Sequence, residues 1–168
     1  MKNKIKIIIV TILLLTVNTY CYALNNICFS PSKCCQQNVI ELINNAKKEI
    51  DIGIYSFTDK MIFNALMKAI ERDVKVYIVY DYRQSKQKHS MIHLLQALNN
   101  DNVKLYTKKK TVHIKYIIID NEILLRGSYN FTNNATYSNN EECSIERDQN
   151  IVKLYKDNLF NIIKTLDN

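Results

Sequence analysis

Val112-His113-Ile114-Lys115-Tyr116-Ile117-Ile118-Ile119-Asp120 is the stretch that decides how this chain is read. Branched apolar residues run through it with two polar side chains set two apart, which predicts a β-strand over 112–119. Residues two apart in a strand point to one face. His113 and Lys115 therefore project together, roughly 7 Å apart at the backbone, while Ile114, Tyr116 and Ile118 pack the other way. A histidine beside a lysine on an otherwise apolar strand is costly unless the pair is used or faces solvent. The chain then turns through Asn121 and Glu122 and returns as Arg126-Gly127-Ser128-Tyr129-Asn130-Phe131-Thr132. Gly127 is one of two glycines in the chain and marks a place where a strand gives way to a loop closely approaching a ligand. Ser128 and Asn130 offer a hydroxyl and an amide suited to phosphate oxygens. The plain alternative for Asn130-Phe131-Thr132 is a glycosylation sequon.

Outward from this segment, helical and strand patterns alternate. An amphipathic helix is expected over 36–49, a strand over 50–57, and a helix capped by Asp59 that carries Ile62, Leu66, Ala69 and Ile70. Further strands are expected at 74–80, 103–106, 123–126 and 142–146, with helices around 92–98 and over 151–166. This alternation implies an α/β fold, a sheet covered by helices on both faces. There is no second copy of the 112–132 segment.

The 168 residues suit one domain, and 47% hydrophobic with 23% charged residues permits a packed core. Lys2, Lys4 and Lys6 precede the apolar run Ile7 to Val17, and Ala23 follows. This layout predicts a secretory signal over residues 1–23, with one domain over 24–168 and a secreted or periplasmic protein. Its removal takes three lysines and no acid, lowering the net charge from +7 to +4. A mildly basic surface of that kind suits nucleic acid or an anionic membrane without selecting either. Cys28, Cys34, Cys35 and Cys143 then remain. In an exported chain they predict structural disulfides, with three pairings open. Ligand spacings for a metal are absent, and His89 and His93 lack the partners of a zinc motif, so no metal or other cofactor is expected.

His113-x-Lys115-x4-Asp120 followed by Gly127-Ser128-x-Asn130 resembles the signature of the phospholipase D superfamily. Asn139-Asn140-Glu141 is similar to the downstream acidic element of its short bacterial members, and Cys28-Phe29-Ser30-Pro31 with Cys34-Cys35 is similar to their start. The resemblance implies an α-β-α sandwich with a mixed sheet and a phosphodiesterase working through a phosphohistidine. It assigns His113 as nucleophile, and Lys115, Ser128 and Asn130 to the phosphate. Glu141 would orient a histidine, and Asp120, counted with the motif, would fix local structure. A single motif implies a homodimer whose twofold axis brings two copies of His113 together. A phospholipid substrate is slightly favoured. A nucleic acid is the alternative, with lysines 86–88 and 108–110 bordering a groove and Tyr80, Tyr82, Tyr106 and Tyr129 available for stacking. An inactive phosphate-binding module is the third reading.

Overall fold

The computed structural model describes residues 26–165; the expected signal segment at 1–23 lies outside them. In chain order the elements are β1 (Ile27–Phe29), α1 (Cys34–Asn45), β2 (Glu49–Ile54), α2 (Lys60–Glu71), β3 (Lys75–Asp81) and α3 (Tyr82–Ser85). These are followed by α4 (Ile92–Ala97), β4 (Val103–Lys108), β5 (Lys115–Ile119), β6 (Ile123–Gly127), α5 (Asn133–Tyr137), β7 (Glu142–Glu146) and α6 (Gln149–Lys164). One seven-stranded sheet runs in the order β1-β7-β6-β5-β2-β3-β4. Its β2, β3 and β4 are parallel to their neighbours in that set, joined by helical crossovers, whereas β5, β6, β7 and β1 pair antiparallel. The sheet is mixed, as the sequence reading expects.

Alternation along β2 and β5 sorts the two cores. Ile50, Ile52 and Ile54 of β2 join Ile117 and Ile119 of β5 in one cluster with residues of α1, α2 and α4. Tyr116, Ile118 and Leu124 face the other side, where α6 covers them with Val152, Leu159 and Ile163. Helices therefore lie on both faces, three or more on one and α6 on the other. Asp59 does cap α2, accepting from the backbone N–H groups of Met61 and Ile62. Among the described residues no helix is long and apolar enough to cross a membrane.

The cysteines pair Cys28–Cys34 and Cys35–Cys143. The second bridge spans 108 residues and ties α1 to β7. Closing so long a loop removes about 4–5 kcal/mol of unfolded-state entropy in the chain-entropy account.

The structure departs from the sequence reading in several elements. β5 begins at Lys115, so His113 and Ile114 precede the strand on an irregular run. The pairing with β2 and β6 stops at Lys115 and Tyr116, and the ladder gives residues 112–114 no partner. The helix expected at 36–49 is shifted toward the N-terminus, because β2 needs Glu49 for its pairing with Lys75. Strand β1 and helices α3 and α5 were not expected; each has five residues or fewer, too short to show a period.

Candidate functional site

The carboxyl ends of β2 and β3, the amino end of β5 and the end of β6 meet at one rim of the sheet. A cleft of about 410 Å³ opens there, lined by His113, Lys115, Gly127, Ser128, Asn130 and Glu141. Five of the six residues proposed for chemistry from the sequence thus share one space, although 28 positions separate the first from the last. Each is set by a different local cause.

Lys115 opens β5 opposite Ile54. Its Nζ donates to the backbone oxygen of His113 at 2.9 Å and contacts His113 Nδ1 at 3.2 Å. An ammonium has only donors, so with Lys115 at Nδ1 the neutral imidazole carries its proton on Nε2. Burial pushes the lysine below its ordinary pKa, and the nearby Glu141 carboxylate partly opposes that shift.

Gly127 has a φ of +153°, and a Cβ there would fall 2.2 Å from the carbonyl oxygen of Glu142. The residue is glycine because β7 runs against it. The close approach that requires glycine is to the neighbouring strand's backbone, and the residue also lines the cleft. With β6 held against β7, the Ser128 N–H donates to Glu142 O at 3.0 Å, and Ser128 Oγ accepts from the Glu142 N–H at 3.1 Å. The Ser128 hydroxyl proton goes to Glu141 Oε2 at 2.5 Å, the length of a charge-assisted O–H···O⁻ bond. Asn139 Nδ2 donates to the other oxygen, Oε1, at 2.9 Å. Within this chain Glu141 is therefore engaged by Ser128 and Asn139 rather than by a histidine ring. Asn130 is tethered through its carbonyl, Oδ1 accepting from the Ser56 N–H at 3.2 Å. That tether turns its amide nitrogen, a donor, toward the cleft.

Asp120 is not in this cleft. It stands at the opposite end of β5, roughly 17 Å away along the strand, in a turn where Asp120 and Asn121 both have positive φ, 53° and 63°. Its carboxylate accepts from the backbone N–H groups of Lys47, Lys48 and Glu49 at 2.8, 2.7 and 2.9 Å. Partial burial works to raise its pKa, but those donors and Lys48 outweigh it and hold the carboxyl below its usual range. Asp120 organises the start of β2 through these bonds.

A second cleft of about 550 Å³ adjoins the first on the α6 side. His113, Lys115 and Gly127 border both, and Arg126, Leu154 and Tyr155 belong to the second alone. Leu154 is 67% exposed. Of the three histidines, only His113 lines either space; His89 and His93 are exposed elsewhere, and His89 falls in the turn before α4 rather than on the helix. Among the described residues no group of three or more His, Cys, Asp or Glu side chains is gathered as a metal site would need.

The comparisons with known proteins agree with this fold. Residues 39–163 match the family model described as "Cardiolipin synthase, PLD-like domain". The chain belongs to the phospholipase D superfamily. It is similar to proteins named Phospholipase D from Rickettsia prowazekii, 35% identical over 79% of this chain, and from Rickettsia conorii, 36% identical over 80%. It spans 64% and 66% of the length of those two relatives. Among solved structures it is similar to NucT from Helicobacter pylori, with a TM-score of 0.75 at 26% identity, covering 82% of this chain and 94% of that one. Nuc from Salmonella typhimurium, described as a phospholipase D family member, also gives 0.75, at 29% identity, covering 82% and 92%.

The two solved structures share the mixed α/β sheet expected from the sequence. Two details of the sequence reading need correction. Tyr80 and Tyr129 are 5% and 2% exposed, so neither presents a face for stacking; Tyr129 instead bonds Thr136 Oγ1 through its hydroxyl at 2.7 Å. Conversely, Tyr55 was passed over. Its ring lies 4.6 Å from the His113 ring and 5.1 Å from Lys115 Nζ. Tyr55 falls just past the end of β2, and the pairing of Ile54 with Lys115 brings it beside the run that carries His113.

Proposed function

We propose that the chain is a phosphodiesterase of the phospholipase D type, secreted or periplasmic, acting as a homodimer. The observation that carries this reading is the meeting of His113, Lys115 and the Asn130 amide in one cleft, with Ser128 and Glu141 bonded at its wall. The 1–23 segment is its secretory signal and 24–168 its catalytic domain.

A phosphodiester needs a nucleophile, a proton donor for the leaving oxygen and donors for the non-bridging oxygens. His113 attacks phosphorus, forming a P–N bond as the P–O bond to the leaving group breaks, and the leaving oxygen takes a proton from a second histidine. Water then attacks the phosphohistidine, and that second histidine, now neutral, accepts its proton. Lys115 and Asn130 donate to the non-bridging oxygens; in doing so Lys115 leaves Nδ1, which frees the ring to move its proton there and expose a lone pair on Nε2. Glu141 is the carboxylate at hand for a ring N–H, held in place by Ser128 and Asn139. Because the cleft contains one histidine, the second is the partner's His113, and the exposed Leu154 beside the cleft suits a face that a second copy covers.

A phospholipid is the favoured substrate, supported by the Rickettsia relatives' name and by Tyr155, which lines the adjoining cleft with His113. Nucleic acid is the second reading. The bond from the Val112 N–H to Asp81 draws the exposed Lys109 and Lys110 toward the loop that carries the exposed Lys86 and Lys88, forming a basic border on one side of the site.

Hydrolysis of bis-p-nitrophenyl phosphate by the mature chain, in excess EDTA, tests the chemistry. Activity that survives EDTA and disappears in His113→Ala by several orders of magnitude is the expected result; Mg²⁺-dependent turnover, or an active His113→Ala, refutes it. Phosphatidylcholine vesicles and plasmid DNA assayed side by side decide the ester. A verified heterodimer of wild type with His113→Ala should be inactive; one with half the wild-type rate shows that a single chain suffices.

A further inference from the structure

His113 stands outside any strand, on the irregular run before β5, yet its ring is held by a closed circuit of contacts. Asp81 ends β3 and is 2% exposed. One of its carboxylate oxygens accepts from the Val112 N–H at 3.0 Å, and the other from the Gln84 N–H at 2.9 Å. The first bond pins the residue before His113; the second starts α3 and sets Gln84 in place. Gln84 Nε2 donates to the Tyr55 hydroxyl at 3.1 Å, while its Oε1 accepts from Gln87 Nε2 at 2.9 Å, so the amide has a fixed sense. Tyr55 closes the circuit: its ring lies 4.6 Å from the imidazole at an interplanar angle of 58°, with Lys115 Nζ 5.1 Å from its centroid.

We infer that Tyr55 is the positioning residue of the site, a ring that sets the His113 imidazole and the Lys115 ammonium relative to each other, and that Asp81 and Gln84 hold it there. The inference rests on the phosphodiesterase reading for its kinetic consequence, though not for its structural one. Two properties of the phenol suit the task. Its flat face restricts rotation of the neighbouring imidazole and attracts an ammonium through the ring quadrupole. Its hydroxyl gives the far end of the ring an anchor, which a phenylalanine lacks. A side chain on a loop has no ladder to fix its backbone, so the circuit through Val112 and Tyr55 supplies what the strand does not. In-line attack demands reacting atoms about 3–3.5 Å apart with aligned orbitals, and a misplacement near 1 Å costs about 100-fold in rate. Loss of Tyr55 should therefore appear in turnover and leave substrate affinity nearly intact.

The test uses the mature chain with Tyr55→Leu, Tyr55→Phe, Gln84→Leu and the Phe/Leu double variant. Each is followed by kinetics on bis-p-nitrophenyl phosphate and by ¹⁵N-edited NMR of the His113 imidazole, with thermal unfolding as a check on the fold. Tyr55→Leu should lower kcat about 30- to 100-fold, with KM within about threefold of wild type, and should broaden or shift the His113 ring resonances. Tyr55→Phe keeps the ring and should restore most of that loss. Gln84→Leu should match Tyr55→Phe, and the double variant should be no worse than either, since both remove the same bond. Wild-type kcat and unchanged ring resonances in Tyr55→Leu overturn the inference, as does an effect confined to KM, which would make Tyr55 a substrate contact. If Tyr55→Leu fails to fold, the Phe/Leu cycle carries the test: additive losses refute the shared contact. A wild-type chain inactive on every phosphodiester sinks the functional reading instead, and the NMR comparison then decides Tyr55 alone.

Discussion

Replacing Gly53 by alanine tests how His113, the proposed nucleophile, is seated. Gly53 lies inside β2, paired with Tyr116 of β5, and an added Cβ would come 2.6 Å from Ile114 Cδ1, 3.0 Å from Ile114 Cγ1 and 3.2 Å from Tyr116 Cζ. Carbon atoms rest at about 3.5–4.0 Å, so the end of Ile114 must retreat by roughly 1 Å. Ile114 stands between His113 and Lys115 on the run that no strand pairing holds, so part of that displacement passes to the backbone of His113. Overpacking of this size costs about 1–3 kcal/mol. For a domain of this size that lowers Tm by about 2–12 °C. The rate should suffer more than the fold: if even half of the displacement reaches the imidazole, kcat should fall about 10- to 100-fold. The obstacle is a flexible side chain, so the defect should be reversible. Ile114→Val deletes Cδ1, the atom 2.6 Å away, and in the double variant kcat should recover to within about threefold of Ile114→Val alone. Phosphodiesterase kinetics and thermal unfolding on the four proteins give the answer. A Gly53→Ala protein with wild-type kcat would show that Ile114 swings aside without moving His113, and the reasoning would be wrong.

Gly127→Ala meets a different obstacle, the backbone of β7 at 2.2 Å together with a φ of +153°; it should cost about 3–5 kcal/mol, measurable as a lower denaturant midpoint that no side-chain trimming rescues. Asp120→Asn keeps a residue tolerant of positive φ but weakens three charge-assisted bonds, so Tm at neutral pH should fall by a few degrees, about 1–2 kcal/mol, while kcat stays within about twofold; a catalytic role would reverse that pattern. The Asp120 carboxyl is held below its unfolded pKa, so this stability is present above about pH 4 and is lost as pH falls through the folded value. Burial, then the neighbouring Glu49, raises the Asp51 carboxyl to about 7 against the pull of Lys156. The folded state then keeps a proton that the unfolded chain releases near 4, stability falls between those values, and Asp51→Asn should gain about 1–4 kcal/mol relative to wild type on going from pH 5 to pH 8. Burial lowers the Lys115 pKa, so the alkaline limb of the pH–rate profile should lie below the ordinary lysine value, and Lys115→Arg, weaker overall, should lack that limb.

Much of this molecule was legible in its residues. Period-two alternation in 50–54 and 116–119 fixed which side chains form each core, because strand geometry depends on the local chain alone. Asp59 caps its helix for the same reason, a relation among neighbours; spacing permits His113, Lys115, Ser128 and Asn130 to meet in one cleft, and the resemblance to the phospholipase D signature singled them out. What had to wait for the tertiary structure involves partners far apart in the chain. Which of Cys34 and Cys35 reaches Cys143 depends on how α1 lies against β7. That Gly127 yields to the carbonyl of Glu142, that Ser128 turns its proton to Glu141, and that Asp120 stays at the far rim all follow from strand register. The start of β5 is decided by where β2 and β6 stop pairing, and it leaves His113 on an unpaired run. Tyr55, 58 residues before His113, meets it because β2 and β5 are adjacent in the sheet. Local pattern places polar groups along the chain; which of them share a cleft, and how they are oriented, is set by long-range packing, which no window of sequence contains.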